Sequence, residues 1–343
     1  MKIHENISLK PYNTFGIDQR APMLIEAENE ADILEAIRLY PNLKVLGGGS
    51  NILLTQAPEV PLLHITQKGI SVAHETNEFV WVRASAGELW SDFVDYCVAQ
   101  DYGGVENLAL IYGTVGAAPV QNIGAYGVEL KDVFKSCEAI HRESKFKINI
   151  EMGGCAFGYR DSIFKQRKDA YIITSVTFCL TKQNHQFKTH YGDIRAHLAA
   201  HGWEESPQHI AQVVKEIRQS KLPNPAELGN SGSFFKNPVI PRAQFLELQK
   251  HYPNMPHYSI GDDQEKIPAA YLIERCDLKG YRIDAVGVHQ KQPLVMVNYG
   301  GATGAAILAL AHYVQQQVKK RFDILMEIFG KCRIFLTFAQ NFS

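Results

Sequence analysis

Between Gly103 and Gly127 glycine and other small residues dominate, and the run GTVGAAPVQNIGAYG (113–127) has little side chain to bury in a core of its own. Such a run makes neither a stable helix nor a strand. It has to be carried on a scaffold, and its use is that backbone N–H groups can approach an anion or a flat ring system closely. The run GGGSN (47–51) has the same property, and two such loops in one half of a chain point to a nucleotide, with pyrophosphate as the anion they suit.

The flanking residues exclude the commoner nucleotide folds. In KVLGGGSNILL the glycines lie between two apolar runs, so the expected order is strand, turn, strand. A dinucleotide fingerprint needs its glycines to open a helix, whereas Ile52, Leu53 and Leu54 follow here. Nothing matches GxxxxGK[ST], which argues against an NTPase. HLAAH (197–201) sets His197 and His201 on one helical face but has Leu198 where a zincin needs glutamate, so no metal site is expected. GNSGS (229–233) lacks the final glycine of a nucleophile elbow, which leaves a hydrolase built on Ser231 or Ser233 a poor second.

Lys and Arg total 35 against 36 Asp and Glu, so the net charge of -1 gives no field for nucleic acid or a membrane surface. Six cysteines (Cys97, Cys137, Cys155, Cys179, Cys276, Cys332) form no CxxC pair, which suits core packing in a reducing compartment. The N-terminal stretch has no apolar signal region, and no apolar run reaches the roughly 18 residues of a membrane span, so a cytoplasmic protein is expected.

Apolar spacing predicts helices over 29–40, 88–100, 241–251, 268–276 and 303–321, and one over SPQHIAQVVKEIRQSKLPNP that prolines stop. Strands are expected in LLHIT, FVWVRASAG, AYIITSVTFCL and LVMVNY, and the last segment reads as strand-like. Composition shifts near 200–225, where a domain boundary is placed. In GNSGSFFKNP, Phe234 and Phe235 are expected to anchor the loop in the core.

Taken together, NTFGI (13–17), LGGGSNILL, ENLALIYGTVGAAPVQNIGAYGVE (106–129), FGYRDSIFK (157–165), SKLPNP (220–225) and GNSGSFFKNPV resemble the UDP-N-acetylenolpyruvoylglucosamine reductase family, in order from about residue 9 to 326. YGD (191–193) and the long middle segment make the chain similar to the type I form. The resemblance implies an α+β protein. A vanillyl-alcohol-oxidase-type FAD-binding domain would span 1–205 in two subdomains (about 1–68 and 69–205), followed by a substrate-binding domain at 206–322 and a C-terminal segment at 323–343 that returns to the active site.

The implied reaction uses NADPH to reduce FAD, and the reduced flavin saturates the vinyl ether of UDP-N-acetylglucosamine enolpyruvate for peptidoglycan synthesis. No nucleic acid, membrane or obligate protein partner is implied. Negative charge left on the substrate carboxylate would be held by Arg160, and the α carbon would take its proton from Ser233. The glycine loops would carry the cofactor through Gly47, Gly48, Gly49, Ser50, Asn51, Gly113, Thr114, Gly116, Ala117, Gln121, Asn122, Gly124, Ala125 and Gly127. Tyr159, Tyr191, Lys221, Asn237, Lys266 and Gln292 would bind the UDP-sugar.

Two departures stand out. The family ends in a Leu-Glu-Pro-Glu-Val-Arg pattern, and here the text is LMEIFGKCRIF: Glu327 matches the first glutamate, and Phe329 occupies the place of the second, which assists the enolate step. Arg333 realigns only if two residues are inserted. Tyr112 stands where the family commonly has proline. The expectation is therefore an active reductase, with a flavin- and UDP-sugar-binding homologue of impaired catalysis as the alternative.

Overall fold

The computed structural model describes residues 1–328. They form two compact units, the first made of Met1–Ile7, Ala21–Gly49 and Pro58–Ser220.

The first unit opens with strands β1 (Lys2–Ser8) and β2 (Arg20–Ala27), helix α1 (Glu30–Leu39), and strands β3 (Lys44–Val45) and β4 (Leu62–Ile65), in a sheet of order β1-β2-β4-β3. Asn29 starts α1 because its side chain accepts the Asp32 N–H at 3.0 Å; of the apolar residues Ile33, Leu34 and Ile37 read as its stripe, Ile33 and Ile37 are buried and Leu34 is exposed. β4 runs parallel to both β2 and β3, so the helix serves as the crossover between parallel strands.

Strands β5 (Ile70–Glu75) and β6 (Phe79–Ser85) follow, then helix α2 (Trp90–Ala99), the short hairpin β7 (Gly124–Ala125) and β8 (Val128–Glu129), strands β9 (Phe134–His141) and β10 (Lys147–Glu151), helix α3 (Ile163–Gln166), strand β11 (Tyr171–Thr181), and helices α4 (Ile194–His201) and α5 (Pro207–Lys221). The second sheet has order β10-β9-β11-β6-β5 and is antiparallel throughout. On it Trp90 and Phe93 rest against Phe178 of β11, with rings 4.5 to 5.7 Å apart.

Helix α5 lies beyond the boundary expected at 205/206 and packs within the first unit. Its apolar stripe, Ile210, Val213, Val214 and Ile217, belongs to the same buried cluster as Phe93 and Leu108, and Gln208 donates to the Val98 carbonyl at 2.9 Å. The helix is part of the first core. The chain passes into the second unit for the last time at Ser220/Lys221, where SKLPNP ends the helix.

The second unit gathers Ser8–Arg20, Ser50–Ala57 and the chain from Lys221 onward. Its elements are β12 (Gly229–Ser233), β13 (Val239–Pro241), α6 (Arg242–His251), β14 (Tyr258–Ile260), β15 (Gln264–Lys266), α7 (Ala269–Arg275), β16 (Arg282–Ile283), β17 (Val286–Val288), β18 (Val295–Asn298) and α8 (Gly304–Phe322). They make an antiparallel sheet β12-β18-β17-β16 and a three-stranded sheet β13-β15-β14.

Two early segments are built into this unit. Asn298 donates to the Phe15 carbonyl at 2.8 Å, and the Asn230 N–H donates to the Thr14 carbonyl at 2.9 Å. Ile52, Leu53 and Leu54 form no strand, contrary to expectation. They are buried, with Ile52 in a single β-bridge, and a Cβ on Gly304 would come within 1.9 Å of the Leu54 carbonyl oxygen, so the apolar run ends packed on the start of α8 rather than continuing as a strand. The α+β class read from the sequence is the class observed.

Candidate functional site

In the first unit the two glycine loops pack on each other. A Cβ on Gly48 would lie 2.9 Å from Gly113 Cα, and one on Gly47 would lie 3.1 Å from both Ala117 Cβ and Thr114 Oγ1. Gly116 is pressed against Ala86 in the same way, at 2.5 Å. Much of the glycine content is thus spent on loop-to-loop contact. The N–H groups of Val115, Gly116 and Ala117 are taken by the carbonyls of Glu88, Ala86 and Thr114. Those of Gly47, Gly48 and Gly49 donate to no acceptor among the described residues, and Gly49 has a φ of +64°. Donor capacity therefore sits in the first loop, and the second forms its wall. Successive free N–H groups in such a turn suit a phosphate, so these residues fit a dinucleotide cofactor. Ser50 and Asn51, the rest of GGGSN, fall in the second unit.

Arg160 lies at the tip of a tight turn, in which Gly158 and Asp161 exchange both backbone hydrogen bonds at 3.0 and 3.2 Å. Its φ of +57° is left-handed, a cost of about 1–3 kcal/mol for a residue with a side chain, tolerated where surrounding contacts over-determine the conformation. Those contacts are visible. The half-buried guanidinium donates to the carbonyls of Asn122 and Gly124, and Lys165 donates to the Arg160 carbonyl at 2.7 Å. Desolvation lowers its pKa from the usual arginine value, opposed by Tyr159 and Glu129. Tyr159 shares the tip, is exposed, and has its ring centroid 6.0 Å from the guanidinium.

Asn122, expected to hold cofactor, is engaged by the fold itself. Its side-chain amide donates to Glu129 and to the Gly158 carbonyl, both at 3.0 Å, and its side-chain oxygen accepts the Lys131 N–H. It ties the β7–β8 hairpin to the Arg160 turn. Gln121 ends a short 3-10 turn beside it, and Gly124 and Ala125 form β7. Gly127, with φ +81°, lies under Tyr191, whose ring meets that of Tyr126 edge-on at 6.5 Å.

In the second unit the stretch around Ser233 is a bulged strand. Asn230 pairs with Val297 and Ser233 with Val295, so β12 carries one more residue than β18 between those pairs. Gly232 supplies the left-handed φ of +65° that such a bulge uses. The extra residue leaves Ser231 buried and Ser233 exposed. Phe234 and Phe235 are both buried, and Phe234 meets Phe15 edge-on at 6.1 Å, the anchoring read from the sequence.

The other residues of this unit differ in how far the fold has claimed them. Asn237 caps α7, its carbonyl accepting the Ala269 N–H at 3.0 Å. Lys266 ends β15 with its ammonium 5.7 Å from the centroid of the Tyr258 ring. Gln292 carries a buried Oε1 that accepts no hydrogen bond among the described residues. Lys221 is exposed at the end of α5. Glu327 is exposed and pairs with Lys236 at 2.8 Å, while Phe235 and Ile328 form an antiparallel bridge. Phe329 and Arg333 lie outside the described residues.

Comparison with known proteins is decisive. Residues 21–146 match the FAD binding domain model, and residues 224–328 match that of the UDP-N-acetylenolpyruvoylglucosamine reductase C-terminal domain. The reductase of Flavobacterium johnsoniae is 46% identical over 95% of this chain and 98% of its own, and that of Pseudomonas aeruginosa is 44% identical over 95% and 98%. The chain belongs to the UDP-N-acetylenolpyruvoylglucosamine reductase family. It is accordingly an FAD-dependent oxidoreductase. The crystal structure of the Thermus caldophilus family member has the same fold, with a TM-score of 0.66 over 96% of this chain and 97% of that one, at 20% identity.

Two further residues were given no role in the sequence reading. Asn107 is fully buried and donates to the carbonyls of Tyr126 and Lys188 at 2.9 and 2.8 Å, pinning the loop under Tyr191. Arg218 donates through Nε to the Leu110 carbonyl at 3.2 Å and makes no carboxylate pair among the described residues. Desolvation lowers its pKa, Tyr126 and Tyr112 oppose that, and Arg160 reinforces it. A second guanidinium thus adds to the positive potential at Arg160. Its only sequence signal was an arginine near the end of an amphipathic helix. Among the described residues no group of three or more metal-ligating side chains occurs, and no helix is long and apolar enough to cross a membrane. His201, one of the HLAAH pair, instead meets Glu216 at 2.9 Å and stacks on Trp203.

Proposed function

We propose that the protein is an NADPH-dependent reductase of UDP-N-acetylglucosamine enolpyruvate, forming UDP-N-acetylmuramate for peptidoglycan in the cytoplasm. When bound, FAD would supply the redox chemistry that links NADPH to the vinyl group. The chain's own residues bind, hold charge and deliver a proton. Gly47–Gly49 offer their N–H groups to the cofactor pyrophosphate. Arg160, fixed by backbone carbonyls before any ligand arrives, holds the negative charge that collects on the substrate carboxylate without reorganising. Lys221 and Lys266 place point charges suited to the diphosphate, and Tyr159, Tyr191, Asn237 and Gln292 complete the UDP-sugar contacts.

The observation that carries the reading is the bulge of β12, which exposes Ser233 while Ser231 stays buried. A serine hydroxyl is a weak acid, so it protonates only a strongly basic carbon and only when held close to it. A hydroxyl turned out of the sheet by one inserted residue meets the positional half of that demand.

The test is anaerobic. NADPH is expected to bleach the long-wavelength flavin band of the purified protein, and UDP-N-acetylglucosamine enolpyruvate is expected to restore it. Absence of a flavin band would sink the reading. Bleaching without recovery would favour the second reading, a ligand-binding homologue with impaired catalysis. That reading has its own support: Phe329 stands in the glutamate's place, and the Glu327 carboxylate is engaged with Lys236. Under it, Phe329→Glu raises turnover, within the roughly 100- to 10,000-fold range of a general acid–base group; an unchanged rate removes it.

A further inference from the structure

We propose that Asn230 is a positioning residue for the Ser233 hydroxyl, acting through the bulge of β12; this rests on the role given to Ser233 above. Asn230 is buried, and its side-chain oxygen accepts the Gly232 N–H at 3.0 Å, inside the bulge. Its amide donates to the carbonyls of Pro223 and Leu228 at 3.0 and 2.9 Å, and its backbone N–H donates to the Thr14 carbonyl at 2.9 Å. One residue thus joins three segments: its backbone holds the NTFG segment, and its side chain ties the SKLPNP turn that begins at the end of α5 to the loop that carries Ser233.

Register shows what the side chain decides. With the bulge, Ser233 lies opposite Val295, on the face that Asn230 and Val297 share. Regular pairing onward from Asn230 would set Ser233 opposite Leu294, and a one-residue slip turns every following side chain to the other face. The Phe234 N–H takes the Leu294 carbonyl at 2.7 Å, so the bulged register resumes directly after Ser233. Holding Gly232 in the left-handed turn is therefore holding the hydroxyl on its face of the sheet. Misplacement of a reacting group by about 1 Å costs on the order of 100-fold in rate, so loosening the bulge acts on proton delivery before it acts on binding.

Asn230→Ala removes every side-chain contact. Gly232→Ala reaches the same bulge by another route, because its added Cβ meets no atom within 4 Å and disturbs only the backbone conformation. Each purified flavoprotein is reduced with NADPH and reoxidised with UDP-N-acetylglucosamine enolpyruvate under single-turnover conditions. The expected result is an unchanged flavin reduction rate, reoxidation slower by about 10- to 100-fold, a KM within about threefold, and a larger solvent deuterium isotope effect on reoxidation. Asn230→Ala added to Ser233→Ala is expected to slow reoxidation no further than Ser233→Ala alone.

Normal reoxidation in either variant, with a lowered melting temperature only, would make Asn230 a merely structural residue and overturn the inference. So would losses that add in the double variant. Normal reoxidation in Ser233→Ala would instead overturn the reading of Ser233. If Asn230→Ala does not fold with flavin, Gly232→Ala decides alone.

Discussion

At the scale of single residues, the site combines strain with backbone anchoring. Arg160 accepts a left-handed conformation because its guanidinium spans two carbonyls, those of Asn122 and Gly124, and a lysine lacks the planar fork that reaches both. Arg160→Lys is therefore expected to keep the flavin spectrum and the NADPH half-reaction but to slow substrate-dependent reoxidation by about 100-fold, checked by stopped-flow absorbance. Buried charge makes a second case. Glu265 is 1% exposed and is held by His257 Nδ1 at 2.9 Å and by Ser259 at 3.0 Å, with Arg242 at 3.7 Å. The His257 hydrogen bond, then that of Ser259 and the charges of His257 and Arg242, lower its pKa below the ordinary glutamate value of 4.5, against desolvation. A depressed carboxylate pKa stabilises the fold above the unfolded value and loses that contribution as pH falls through the folded one. The melting temperature is expected to drop as pH is lowered below about 4.5, and Glu265→Gln should show a shallower drop over the same window.

At the scale of elements, periodicity was the readable part. Helices α1, α5 and α8 follow their apolar stripes to within a residue or two of the predicted ends, because each buries one face against a core that the stripe alone specifies. The segment Ile52–Leu54 was misread as a strand, since an apolar triplet looks the same whether it pairs or packs. Asn107 and Asn230 stood inside quoted motifs, but their hydrogen bonds to backbone carbonyls and N–H groups could not be read there, because they depend on how the loops fold. Asn122 was legible as part of a motif, but its bonds to the fold were not. The start of α8 tests how strictly an element is fixed. Thr303 caps it by accepting the Ala306 N–H at 3.1 Å, and Thr303→Ala should cost about 1 kcal/mol. Gly304→Ala adds a methyl 1.9 Å from a backbone carbonyl oxygen, which no rotamer relieves, so it should cost at least about 1–3 kcal/mol. Urea titration of both variants is expected to rank them in that order.

At the scale of the whole molecule, chain order and spatial unit do not coincide. The second unit takes Ser8–Arg20 and Ser50–Ala57 from the N-terminal part of the sequence, so no single cut yields both units intact. The borrowed segments lie at points the unit cannot leave empty. The Phe15 carbonyl accepts from Asn298 and comes within 2.3 Å of where a Cβ on Gly229 would stand, and Leu54 occupies the matching place at Gly304. Phe15 also fills the space beside Phe234, directly after Ser233. The last crossing falls at Ser220/Lys221, and composition carried no trace of the two earlier excursions into the second unit, because pairing over so many residues leaves no local pattern. A fragment starting at Lys221 therefore lacks groups that satisfy buried Asn298 and cover Phe234, and a buried donor left unmade costs about 1–3 kcal/mol against a total domain stability of about 5–15 kcal/mol. Such a fragment is expected to show no cooperative thermal transition by near-ultraviolet circular dichroism. A peptide of residues 8–20 supplied in trans should restore part of the signal, in proportion to its concentration, through the mass action of a ligand that binds only the folded form. A cooperative transition in the fragment alone would show that the borrowed segments decorate the unit rather than complete it.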